Sequence, residues 1–110
     1  MENKMSEGIK MQLLMYIEYV KCGVKPIAFM NLQSRYITEA LQLINQKELK
    51  LLIKDIQGCE EWKTIFLYKH NYLVDIINNL PNNPTSIFEH WILGKACGYS
   101  DEAIGEFING

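Results

Sequence analysis

Five side chains in this 110-residue chain are of types that carry nucleophilic or metal chemistry: Cys22, Cys59, Cys97, His70 and His90. A thiolate activated by an imidazole needs only nearness in space, so Cys59 or Cys97 could pair with either histidine. Nothing in the spacing selects such a pair. There is no Cys-x-x-Cys, and the two histidines lie far apart in sequence, so no structural zinc site is expected. Asp101 and Glu102 are adjacent carboxylates, but neighbours on a helix point in different directions. Their place at a helix start already accounts for them, because acidic side chains complement the positive end of the helix dipole. "LGKAC" contains Gly94-Lys95, but a phosphate-binding loop needs an earlier glycine where Glu89 stands and a hydroxyl residue where Ala96 stands. The expectation is a protein without a catalytic site, a metal or a cofactor.

The aromatic residues point elsewhere. Trp62, Tyr68, Trp91 and Tyr99 are of the kind that anchors protein interfaces, and equally of the kind that fills small cores. Tyr99, between Gly98 and Ser100, is the one expected at the surface. With Trp91, Lys95, Asp101 and Glu102 it forms a candidate interaction surface at the junction of the last two helices. The free N–H groups at the start of the final helix suit an anion, although Asp101 and Glu102 would repel one.

Those residues need elements to hold them. Residues 1–5 read as a frayed end. Over Ser6–Cys22, the positions Ile9, Leu13, Tyr16, Ile17 and Val20 recur at helical spacing. Met11, Leu14, Met15 and Tyr19 widen the stripe, which predicts a helix buried on more than one side. Gly23 stops it. Pro26 excludes a helix interior, and Ile27–Met30 fits a short buried strand. Ser34 is placed to cap a second helix with Ile37, Ala40, Leu41 and Ile44 inward.

Residues 47–57 are ambiguous. Leu49, Leu52, Ile53 and Ile56 suit a helix, whereas Leu49, Leu51 and Ile53 alternate with lysines as in a strand. The next segment favours the strand, with an all-helical 33–57 as the alternative. "WKTIFLYKH" is aromatic, β-branched and alternating, hence a strand over 62–69. Its backbone groups need a partner, and 49–56, returning through "QGCEE", supplies one. Asn71 is placed to cap a helix carrying Leu73, Ile76, Ile77 and Leu80, ended by Pro81. "PNNP" reads as a rigid polar turn. Ser86 and Glu89 have capping-box spacing before a helix with Phe88, Trp91, Ile92 and Ala96 inward. Gly94 in that helix predicts a close approach by a neighbour. Ser100 caps the last helix, docked by Ile104, Phe107 and Ile108. The predicted fold is one α+β domain over residues 1–110: a small antiparallel sheet of two or three strands, about five helices, and two short helices at the C-terminus.

Bulk composition fits that size. The chain is 48% hydrophobic and 22% charged, with net charge −2. No nucleic-acid signature follows from such a balance. Residues 1–54 carry eight basic and five acidic side chains, and residues 55–110 three and eight, so the halves are +3 and −5. An acidic second half suits a basic partner; solvated faces of unlike sign are the plainer explanation. Three widely spaced cysteines, no signal-like start and no long apolar run suggest a reducing, cytoplasmic setting without a membrane span.

The closing pattern of Trp91, Leu93-Gly94-Lys95, Gly98-Tyr99-Ser100, Ile104 and Phe107-Ile108 resembles small proteins of low-GC Gram-positive bacteria and of their phages and mobile elements. The resemblance implies no particular activity, so no functional residue is carried over. Together these readings favour a non-enzymatic cytoplasmic interaction protein with a protein partner, such as a phage-encoded inhibitor of a host defence or other host machinery. The alternative is a small-molecule binder that sequesters a nucleotide signal in an aromatic pocket around Trp91, Lys95 and Tyr99. Self-association is left open, with the first strand as an exposed sheet edge.

Overall fold

A computed structural model describes residues 4–81 and 83–110. The expected frayed start falls partly on residues 1–3, and the expected rigid turn at "PNNP" partly on Asn82, outside the described residues. Met5 is not frayed: it is buried, and its N–H donates to Glu39 Oε1 at 2.8 Å.

The chain folds as α1 (Glu7–Lys21), β1 (Ile27–Gln33), a single 3-10 turn (Ser34–Tyr36), α2 (Ile37–Gln46), β2 (Lys50–Ile56), β3 (Cys59–Tyr68), α3 (Leu73–Asn79), α4 (Ile87–Ala96) and α5 (Asp101–Asn109). This is the predicted α+β class. The ambiguous segment is a strand, because β3 needs an antiparallel neighbour and β2 turns directly into it. The sheet has order β1-β3-β2, both pairs antiparallel. The strand read over 62–69 is thus the central one, and β1 and β2 are both edges.

Strand alternation divides the core in two. One face carries Ala28, Met30, Leu32, Ile65 and Leu67 under Leu13, Ile17 and Val20 of α1 and Ala40 and Ile44 of α2. The other carries Ile27, Phe66 and Tyr68 under Leu73, Ile77 and Leu80, with Leu93 and Ala96 of α4 at the margin. Side chains of successive strand residues point to opposite faces, so one sheet serves both clusters.

Several local expectations are corrected. α1 buries one side only: Leu13, Ile17 and Val20 are buried, while Met11 and Met15 are exposed. The helix meets β1 and β3 through that one side. Ser34 does not cap α2; it opens the 3-10 turn, and its hydroxyl donates to the Glu60 carbonyl at 2.7 Å, tying the turn to β3. Leu41 is exposed. Asn71 does not cap α3, which starts without a side-chain cap; its Oδ1 accepts from Lys50 Nζ instead. Ile76 is exposed as well.

Candidate functional site

The last two helices begin with the caps the sequence promised. Ser86 Oγ accepts from the Glu89 N–H at 3.1 Å, and Ser100 Oγ accepts from the Ala103 N–H at 3.1 Å. The capping box at α4 is shifted by one residue: Glu89 Oε1 accepts from the Thr85 backbone N–H at 3.0 Å and from its hydroxyl at 3.1 Å. Those two bonds hold the Glu89 carboxyl below the usual carboxylate range.

Gly94 lets the two helices meet. A Cβ at that position would lie 2.7 Å from Cγ1 and 2.9 Å from Cδ1 of Ile104, the buried residue of α5. Between the helices, Gly98 adopts φ +84°, and a Cβ there would stand 3.0 Å from Pro26 Cδ. The corner therefore packs against the loop that enters β1. Lys25 fastens that contact: its Nζ donates to the Cys97 carbonyl at 3.2 Å and sits 3.8 Å from the Tyr99 ring centroid.

The five predicted surface residues are accordingly placed in two groups. Lys95 bridges one of them, paired with Asp101 and 5.0 Å from the Trp91 ring centroid. Tyr99 is 51% exposed, and the cation over its ring is Lys25 rather than Lys95. Glu102 is exposed in the first turn of α5. Sequence reasoning missed Lys25, because its partners lie more than seventy residues away (Cys97 is 72 positions on).

The larger surprise is apolar. α4 has no buried residue, and of the expected inward set only Ala96 packs on a core cluster. Phe88 is 71% exposed, Ile87 68%, and Phe107 of α5 72%, while Ile92 is also exposed. The inward contact of α4 comes from Leu93, Ala96 and the buried Cys97 that follows it. Apolar residues surround this helix on all sides, so periodicity gave no single stripe to choose. His90 packs against Phe107 at 5.4 Å between ring centroids, the rings tilted by 57°, and Ile87 lies one turn before His90, which links Ile87 of α4 to Phe107 of α5.

Each histidine packs on an aromatic ring, and among the described residues no hydrogen bond pairs a histidine with a cysteine. His70 stacks on Tyr72 at 5.3 Å, and His90 packs tilted against Phe107. Cys97 is buried, and burial pushes its thiol up to about 11, against a smaller opposing effect of Lys25. Among the described residues, no three His, Cys, Asp or Glu side chains are grouped to hold a metal. No helix among them is long and apolar enough to cross a membrane. No protein-family model matches the chain, and a comparison with curated proteins finds no match.

Proposed function

We propose that this protein is a non-enzymatic binding protein, and that the outer surface of α4 and α5 docks on another protein. The observation that carries this reading is the exposure of Ile87, Phe88 and Phe107 on two adjoining helices. Single exposed apolar residues are ordinary on a soluble domain; here Ile87 and Phe107 meet on either side of His90, with Phe88 exposed on the same turn of α4, the pattern of an interaction patch. α5 also carries the exposed carboxylates Glu102 and Glu106, beside Asp101, which is paired with Lys95. A matching partner surface would be apolar at its centre and basic at its edge, since complementary rims steer encounter. The resemblance of the closing segment to proteins of Gram-positive bacteria and their phages supports a partner in bacterial host machinery, with inhibition of a defence system as the specific form.

The test is affinity capture from such a host with the wild-type chain and with Phe88→Asp/Phe107→Asp. Both residues are exposed, so the variant should keep its melting temperature. A partner held in stoichiometric amount by the wild type should bind the variant at least about thirtyfold more weakly, as for interface anchors worth ~2 kcal/mol or more. Equal retention by both proteins, or no stoichiometric partner at any salt concentration, removes the proposal.

A further inference from the structure

The sheet face under α3 is only half covered, and its open half forms a pocket of about 510 Å³. Strand register builds the floor from two adjacent rows. Phe29 lies opposite Phe66, and beside them Asn31, Thr64 and Lys54 are in register across all three strands. The hairpin residues Ile56 and Gln57 close one side; Pro81, Asn83 and Leu93 close the other. A solvated sheet face would ordinarily carry polar side chains here. Instead Phe29 is 37% exposed, stacked on the buried Phe66 at 5.6 Å between centroids.

The polar groups converge on that ring pair. Thr64 Oγ1 donates to Asn31 Oδ1 at 2.7 Å, so what the Asn31 amide has to offer a ligand is its NH2 donor end. Lys54 Nζ stands 5.1 Å from the Phe66 centroid and donates to the Ile77 carbonyl at 2.6 Å, which fixes the ammonium at the pocket wall. Desolvation lowers the Lys54 pKa. The carboxylate that lines the pocket, Asp55, is already paired with Lys63 at 2.8 Å.

From this arrangement we infer that the pocket binds a small planar aromatic anion, its ring against Phe29, its charged group at Lys54 and an acceptor atom at Asn31. The volume is in the range of small-ligand sites, a few hundred to a thousand cubic ångströms. A carboxylate and a phosphate are the two sources of the charge. The inference is independent of the docking surface on α4 and α5.

Calorimetric titration of the intact chain tests it. The probes are benzoate and naphthoate for carboxylates, and adenosine and guanosine monophosphate for phosphates. Benzamide and adenosine keep a ring without charge; cyclohexanecarboxylate and inorganic phosphate keep charge without an aromatic ring. At least one aromatic anion should bind about tenfold or more tightly than both of its controls, a margin well outside titration error. The arm that responds identifies the charged group. Lys54→Met and Phe29→Leu should each weaken binding about tenfold, with the melting curve showing that the variant is folded. Absence of binding by every aromatic anion at millimolar concentration overturns the inference. So do controls that bind equally well, or folded variants that keep full affinity. If either variant fails to fold, the wild-type comparison of anions with their controls decides alone.

Discussion

Alanine at Gly105 should stabilise the protein and alanine at Gly94 should not, although both replace a glycine inside a helix. The intrinsic gain is the same, about 1 kcal/mol for alanine over glycine in a helix interior. The surroundings differ. Nothing lies within 4 Å of a Cβ at Gly105, so Gly105→Ala should stabilise by up to that amount. At Gly94 the new methyl would meet Ile104 Cγ1 at 2.7 Å and Cδ1 at 2.9 Å. Cδ1 is a side-chain end and can swing away. Cγ1 moves only by rotating χ1, which a β-branched residue in a helix resists. Overpacking of this kind typically costs ~1–3 kcal/mol, so Gly94→Ala should be neutral to about 2 kcal/mol destabilising. Urea unfolding with unchanged m-values gives both numbers. The two melting temperatures should differ by roughly 4–12 °C for a chain of this size. Ile104→Ala removes both contacting atoms, and should be less harmful in the Gly94→Ala background than alone, giving a coupling energy of about 1 kcal/mol or more. If Gly94→Ala stabilised as much as Gly105→Ala, with no coupling to Ile104, α4 and α5 would not approach here and the shared surface would lose its support.

Three further outcomes follow from the same region. Cys97 is held protonated up to about 11 when folded, while its thiol ionises near 9.0 when unfolded. Stability should therefore be fully present below pH 9 and fall between pH 9 and 11, by roughly 3 kcal/mol at most. Cys97→Ala should flatten that limb, and mass spectrometry after alkylation at pH 8 should find exposed Cys22 modified and Cys97 spared. Ser100→Ala should cost about 1 kcal/mol by removing the cap on Ala103 N–H, and urea unfolding measures it. Glu89 has a lowered pKa, so its support for the α4 start is present above the ordinary carboxylate range and lost as pH falls through the depressed value. The Thr85 amide resonance, followed through acid, should shift in that lower window and not in Glu89→Gln.

The strands were legible because their signal is local. Trp62–Tyr68 alternates, is β-branched and aromatic, and cannot leave its backbone unpaired, which forced β2 beside it against a helical propensity. The caps at Ser86 and Ser100 were legible for the same reason. Ser34 and Asn71 were not, because each has a stronger distant partner: the Glu60 carbonyl 26 residues on, and Lys50 across 21. Lys54, Asn31 and Thr64 escaped notice as a group because only the register of three strands places them in one row. Phe88 and Phe107 were misjudged because an apolar residue on a short helix carries no mark of whether anything covers it.

One cause underlies both open surfaces. The face of the sheet toward the N-terminal half is covered by α1 and α2, which bring five fully buried side chains between them. The opposite face has α3, only seven residues long, and the margin of α4. α3 covers Tyr68 and Phe66 and meets the row beyond at Lys54, through the Ile77 carbonyl, while Phe29 and Asn31 stay open. α4 packs on the second cluster through Leu93 and Ala96, while Ile87 and Phe88 in its first turn are exposed. Lengthening α3 would close the pocket, and seating α4 deeper would bury the patch. Both follow from a sheet whose second side has too little helix to cover it, and a bound molecule on either surface would complete a layer that the chain leaves unfinished.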